Sequence, residues 1–194
     1  MRVHLVLVSG DGPGVGKSYV ADKLREGLRG FTAVRRMPFA EPLKRMLTFG
    51  LELPPRFIEH PLKEEPIPGL GVSARRLMQT LGTEWGRDTV GADFWLKVWT
   101  RRARSAIYAH AAPPTQDLAF IVDDVRFPNE VASFREPVWP DGLLAPEQLT
   151  IEHVHVAAAA EYVPPPFTGT VHPSEGYAQL LRERADTLLI NARS

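Results

Sequence analysis

Val3-His4-Leu5-Val6-Leu7-Val8-Ser9-Gly10-Asp11-Gly12-Pro13-Gly14-Val15-Gly16-Lys17-Ser18 is the stretch that decides how this chain folds. It begins with a short run dominated by valine and leucine, the composition of a strand buried on both faces. Glycines crowd the next segment, and from Lys17 to Leu28 apolar residues recur at helical spacing. Strand, loop and helix in that order open a βαβ unit, and such units build parallel sheets. The apolar run is too short to span a bilayer, and glycines stand where a signal peptide needs its cleavage region, so the run reads as a buried strand.

Gly12-Pro13-Gly14-Val15-Gly16-Lys17-Ser18 follows that strand and opens the helix, the context in which a glycine pattern becomes a phosphate site. Glycines let successive backbone N–H groups point inward around phosphate oxygens. The helix N-terminus adds positive potential, and a lysine brings a mobile charge to the β- and γ-phosphates. The expected ATP-binding residues are Gly12, Gly14, Val15, Gly16, Lys17, Ser18 and Tyr19, with the Ser18 hydroxyl on Mg²⁺. One position departs from the strict pattern: Asp11 stands where glycine is usual. Aspartate tolerates a left-handed backbone, but its carboxylate has to point away from any bound phosphate. The competing reading, a glycine-rich turn that binds nothing, is disfavoured by Gly-Lys-Ser directly after an apolar strand.

Working outward, residues 31–36 read as a second strand, and Pro42 fits the first turn of a helix that includes Lys44. Residues 51–71 carry Pro54, Pro55, Pro61, Pro66 and Pro68 among charges, and read as a surface excursion or flap outside the core. Ser73 is the expected cap of a helix running to Leu81, Asp93 that of a helix from Phe94 to about His110, and residues 82–86 between them read as a tight turn. Leu118-Ala119-Phe120-Ile121-Val122 is an uninterrupted apolar strand ending in Asp123-Asp124. Residues 150–156 form another strand, expected to be less buried because His153 and His155 alternate along it. A proline-rich loop over 162–170, a helix over 174–184 and a short strand over 187–190 complete the pattern.

At 194 residues and 44% apolar content the chain suits one α/β domain spanning 1–194. With 23 basic and 23 acidic side chains the net charge is zero, which argues against a coat for nucleic acid or an anionic membrane. The absence of cysteine excludes disulfides and thiolate chemistry and is compatible with a reducing cytosol. His153, His155 and His172 show no recognised zinc spacing.

An acidic group at the end of a neighbouring strand orders Mg²⁺ or its waters in phosphate-loop enzymes, and Asp123-Asp124 stand where one is expected. Strand alternation sends the two to opposite faces, so one of them reaches the metal, and the residues alone do not say which. Arg126 is placed to neutralise charge on a moving phosphoryl group. Arg75 and Gln79 share a helix face, and Arg87 follows the presumed turn, where an arginine fork suits an acceptor phosphate. Arg101, Arg102 and Arg104 read as a solvated face. Trp85 and Trp95 suit either base stacking or the core.

These residues also resemble a family, the phage-type deoxynucleoside monophosphate kinases of the P-loop class. The resemblance is carried by the glycine-rich loop, by Phe39-Ala40-Glu41-Pro42-Leu43-Lys44, by the Leu81-Gly82-Thr83-Glu84-Trp85-Gly86-Arg87 run, and by Asp124-Val125-Arg126-Phe127-Pro128-Asn129-Glu130. His172-Pro173-Ser174-Glu175 and residues 186–191 add weaker matches. It implies a P-loop NTPase three-layer sandwich with a central, mostly parallel sheet and flanking helices. It further implies transfer of the ATP γ-phosphate to a deoxynucleoside monophosphate in the presence of Mg²⁺. On that basis Lys17, Asp124 and Arg126 are the expected catalytic residues, Ser18 and Asp124 the metal ligands, and Lys44, Arg75, Gln79, Trp85 and Arg87 the acceptor-binding set. Small nucleotides are the expected partners, without nucleic acid or membrane and with a homodimer left open. The expected location is the cytoplasm, that of the host cell if the chain is viral. A P-loop kinase of another small phosphorylated acceptor, or a non-catalytic nucleotide-binding switch, would fit the same residues.

Overall fold

The structure is a computed structural model that describes residues 1–59, 61–110, 116–135, 143–159 and 176–191. The chain divides into two compact units, one made of Met1–Pro38 with Arg102–Ser194 and the other of Phe39–Arg101.

The first unit is an α/β assembly. Its strands are β1 (Val3–Gly10), β2 (Ala33–Arg36), β3 (Leu118–Val122), β4 (Leu149–Ala158) and β5 (Thr187–Asn191), all parallel, in the order β2-β3-β1-β4-β5. Helix α1 (Lys17–Gly27) joins β1 to β2 in one direction across the sheet. The later connections, β2 to β3, β3 to β4 and β4 to β5, run in the other. Parallel crossovers are right-handed, so α1 covers one face and the remaining helices of the unit cover the opposite one.

Side-chain alternation follows the pleat. Val6 and Val8 of β1, Ile121 of β3, and Val154 and Val156 of β4 pack with Val15, Val20 and Ala21 beneath α1. The other face presents Leu5, Leu7, Phe120 and Val122, all essentially without exposure, and the five residues of β3 are buried throughout, as the sequence predicted. Strand β4 departs from expectation. Alternating histidines predict a strand with one wetter face, yet His153 and His155 are fully buried. In a sheet covered on both sides polar side chains persist where they find partners, and here Ser9 lies in register opposite His155 on β1.

The second unit contains α2 (Glu41–Arg45), which runs on as a π-helix over Met46–Gly50, then α3 (Pro55–Ile58) and α4 (Ala74–Gln79). Ser73 caps α4, its hydroxyl accepting from the Arg76 N–H at 3.2 Å. Two expectations need correction. Residues 51–71 are no mere excursion: Leu53, Ile58 and Ile67 form a small core with Leu47 and Ala74. Residues 82–86 are no tight turn: α4 widens into a π-helix over Thr80–Val90. Packing explains the widening. The Trp95 indole N–H donates to the Gly82 carbonyl at 2.7 Å, and a Cβ on Gly86 would overlap the Trp95 ring. Helix α5 (Phe94–His110) starts where the sequence placed it, and its residues from Arg102 onward belong to the first unit. Helices α6 (Pro128–Arg135) and α7 (Ala178–Glu183) complete the fold. The proline-rich stretch at 162–170 and His172-Pro173-Ser174-Glu175 lie outside the described residues. No helix among the described residues is long and apolar enough to cross a membrane.

Candidate functional site

In open parallel sheets a ligand crevice forms at the carboxyl ends of two adjacent strands whose following connections leave to opposite faces. Here those strands are β1 and β3. Residues 11–16 leave β1 toward α1, and residues 123–127 leave β3 toward α6. The glycine-rich loop and Asp123-Asp124-Val125-Arg126 therefore lie side by side. The backbone fixes this pairing, because the Val125 N–H donates to the Val8 carbonyl at 3.2 Å.

Glycines shape the loop as the sequence suggested. Gly16 caps α1 with φ 96°, a left-handed conformation, and Gly14 has φ 80°. Asn191 at the end of β5 braces the turn by donating its side-chain amide to the Val15 carbonyl at 3.1 Å. Ser18 and Tyr19 are exposed at the start of α1. Asp11 adopts no left-handed backbone, so its presence there carries no conformational strain of that kind. Its carboxylate does turn away from the loop, accepting from His155 Nε2 and from the Ala158 N–H, each at 2.8 Å.

Lys17 folds back over the loop and donates to the Gly12 carbonyl at 2.6 Å. Burial and the nearby Arg126 charge lower its pKa to about 8, against the opposing pull of Asp124, Asp123 and Asp11. An ammonium with that pKa is still mostly charged at neutral pH. It sits among the groups the sequence assigned to the site, so Lys17, Asp124 and Arg126 belong to one electrostatic neighbourhood.

The two aspartates differ in their surroundings. Asp123 is buried and paired with the Arg36 guanidinium, which also reaches Asp22 of α1 at 3.3 Å. Asp123 Oδ1 is buried and meets no donor among the described residues. Asp124 is half-buried, and Arg126 is exposed. Glu130 sets the path between them and α6: its buried carboxylate accepts the Arg126 and Phe127 N–H groups at 2.8 and 3.0 Å. The sequence reading gave neither Glu130 nor Arg36 a role. Glu130 was detectable as an acid two residues after a proline that starts a helix, whereas Arg36 carries no local signal.

The residues expected to bind an acceptor all lie in the second unit. Arg75 pairs with Glu64 at 2.9 Å, Lys44 with Glu59 at 2.9 Å, and Arg87 donates to the Ala92 carbonyl at 3.1 Å. Gln79 is half-buried one helical turn beyond Arg75. Trp85 is 41% exposed and packs edge-on against Phe94, whereas Trp95 is core, at 6% exposure. Trp95 is thus assigned to packing, and Trp85 keeps an accessible ring.

A magnesium ion fits the residues at the first unit's crevice. The Ser18 hydroxyl and one of the two aspartates, either Asp124 or the Asp123 oxygen that meets no donor among the described residues, are hard oxygen donors, the type this cation takes when phosphates and water supply the rest of its shell. Among the described residues no three His, Asp or Glu side chains cluster as a protein-only metal site. In comparisons with known proteins, the chain matches no protein-family model and no curated protein.

Proposed function

We propose that this chain is a P-loop phosphotransferase that moves the γ-phosphate of ATP to a deoxynucleoside monophosphate, giving ADP and a deoxynucleoside diphosphate. The observation that carries the reading is the glycine loop with its left-handed Gly14 and Gly16, seated beside Asp123-Asp124 at the reversal of the sheet's connections. Backbone N–H groups of residues 12–18 would cradle the donor phosphates. The Lys17 ammonium would exchange its contact with the Gly12 carbonyl for phosphate oxygens. Ser18 and Asp124 would hold Mg²⁺, which when bound neutralises phosphate charge. Arg126, exposed and anchored through its backbone by Glu130, would supply positive charge to the phosphoryl group as it moves.

The acceptor's phosphate is assigned to Arg75, Arg87 and Lys44, and its base to Trp85 and Gln79. The carboxylate partners of Arg75 and Lys44 keep those cations ordered until a phosphate competes for them. Acting on ATP and nucleotides, the enzyme would work in the cytoplasm.

The test is direct. Purified protein is incubated with Mg²⁺-ATP and each common deoxynucleoside or ribonucleoside monophosphate, and products are separated by chromatography. A deoxynucleoside diphosphate is the expected product, and Lys17→Ala should abolish it while leaving the circular dichroism spectrum unchanged. ATP consumed without any diphosphate product, or a Lys17→Ala variant of normal turnover, would refute the assignment.

A further inference from the structure

Behind the glycine loop lies a buried chain of polar side chains that the proposed chemistry does not use. Ser9 Oγ sits 2.8 Å from His153 Nε2 and 2.8 Å from His155 Nδ1, and all three side chains are fully buried. His155 Nε2 continues the chain to Asp11 Oδ1 at 2.8 Å. Asp11 Oδ2 takes the Ala158 N–H at 2.8 Å, and Arg182 of α7 stands 3.7 Å from the same oxygen. Apart from that series, the backbone N–H of His153 donates to Asp186, which pairs with Arg135 of α6.

The proton directions follow from chemistry. A carboxylate only accepts, so His155 Nε2 carries the hydrogen that Asp11 receives. In the neutral ring Nδ1 then accepts, which obliges the Ser9 hydroxyl to donate to it. Ser9 Oγ is left to accept from His153 Nε2. Every bond in the series is satisfied in one sense only. The Ser9, His155 and Asp11 links fix one another's side-chain positions, while His153 Nδ1 at the far end is buried and meets no partner among the described residues; losing one link leaves its neighbours unpartnered as well.

Asp11 occupies a position where glycine would place no charge. A carboxylate free to rotate toward the loop would oppose a bound polyanion, because like charges a few ångströms apart in a partly desolvated site repel strongly. We infer that Ser9, His153 and His155 are positioning residues of the loop: they pin the Asp11 carboxylate outward against β4, so the loop accepts phosphate despite an acid in its turn. This rests on reading residues 12–18 as a phosphate loop.

Calorimetric titration of the full chain with Mg²⁺-ATP tests it, after circular dichroism and melting curves have shown each variant folded. His155→Phe removes the pin, and Kd should rise about tenfold as the carboxylate is released. Asp11→Gly alone should shift Kd no more than about twofold, and the double variant should return to within about threefold of wild type, since no carboxylate remains to repel. His155→Gln, whose amide can still donate to Asp11, should bind nearly as wild type. Loss of affinity that Asp11→Gly does not rescue, or an unchanged Kd in His155→Phe, overturns the inference. If His155→Phe does not fold, Ser9→Ala replaces it, with about a threefold rise that Asp11→Gly must likewise reverse. Lys17→Ala separates the two levels: if it leaves Kd unchanged the phosphate-loop reading fails, whereas weakened binding in Lys17→Ala with normal binding in His155→Phe sinks the pinning alone.

Discussion

Acid should unfold this protein through His153. Its ring is fully buried between β1 and the helices on that face, and burial lowers its pKa to about 4 from the ordinary 6.5. Below pH 6.5 the unfolded chain binds a proton that the folded chain refuses, so stability present above that pH is lost as pH falls toward 4. At 1.36 kcal/mol per unit, a gap of this size corresponds to about 3 kcal/mol, a large part of a typical domain's roughly 5–15 kcal/mol. His155 and His4, also lowered by burial, act with the same sign. Urea unfolding at a series of pH values, with wild type beside His153→Gln, measures the loss. Wild type should lose more stability than the variant between about pH 7 and pH 4, by about 3 kcal/mol. Equal pH dependence in the two proteins, or a His153 ring that titrates near its ordinary value by NMR in the folded state, would refute the reasoning.

Three further substitutions probe the packing directly. Gly86→Ala places a methyl group inside the Trp95 indole and should cost about 1–3 kcal/mol of unfolding free energy, read from chemical denaturation. Gly16→Ala forces an L-residue into a left-handed φ of 96° and displaces the Asn191 amide, with an expected loss of about 2 kcal/mol and weaker nucleotide binding. A Gly16→Ala protein with unchanged melting temperature would contradict that geometry. Arg36→Ala leaves the buried Asp123 carboxylate without its guanidinium, which should lower stability by about 3 kcal/mol at neutral pH. A loss below about 1 kcal/mol would count against the pairing as a source of stability.

The α/β class and the parallel strands β1 and β3 were legible because their signals are local. Valine-rich runs next to a glycine loop, and a five-residue apolar strand ending in two aspartates, do not depend on the rest of the chain. The π-helix at Thr80–Val90 was not legible. Gly82 and Gly86 look like turn residues until Trp95 is seen to need the space and the carbonyl they leave. Likewise the proline-rich 51–71 segment looked peripheral because its apolar residues, Leu53, Ile58 and Ile67, are isolated in sequence and meet only in space. Within the candidate site, Lys17 and Ser18 stood out by their place after an apolar strand, and the Asp123-Asp124 pair by its place at the end of another, without a sign of which aspartate faces the loop. The partners that orient the site, Arg36, Glu130, Asn191 and the buried histidines, act across the sheet or from adjoining turns, and most lie far along the chain from what they hold.

The central position of β1 also shapes the order in which the molecule can be assembled. Val3 pairs with Leu118 on one side and with Leu149 on the other, so neither edge of β1 finds its native neighbour until most of the chain exists. At roughly 5–20 residues per second of synthesis, the valine-rich strand waits several seconds with both hydrogen-bonding edges bare. Pairings of such sequence separation also make refolding slow, because loop closure precedes any gain from contact. The central strand of the native sheet is thus the segment longest exposed to capture by chaperones or by another nascent chain.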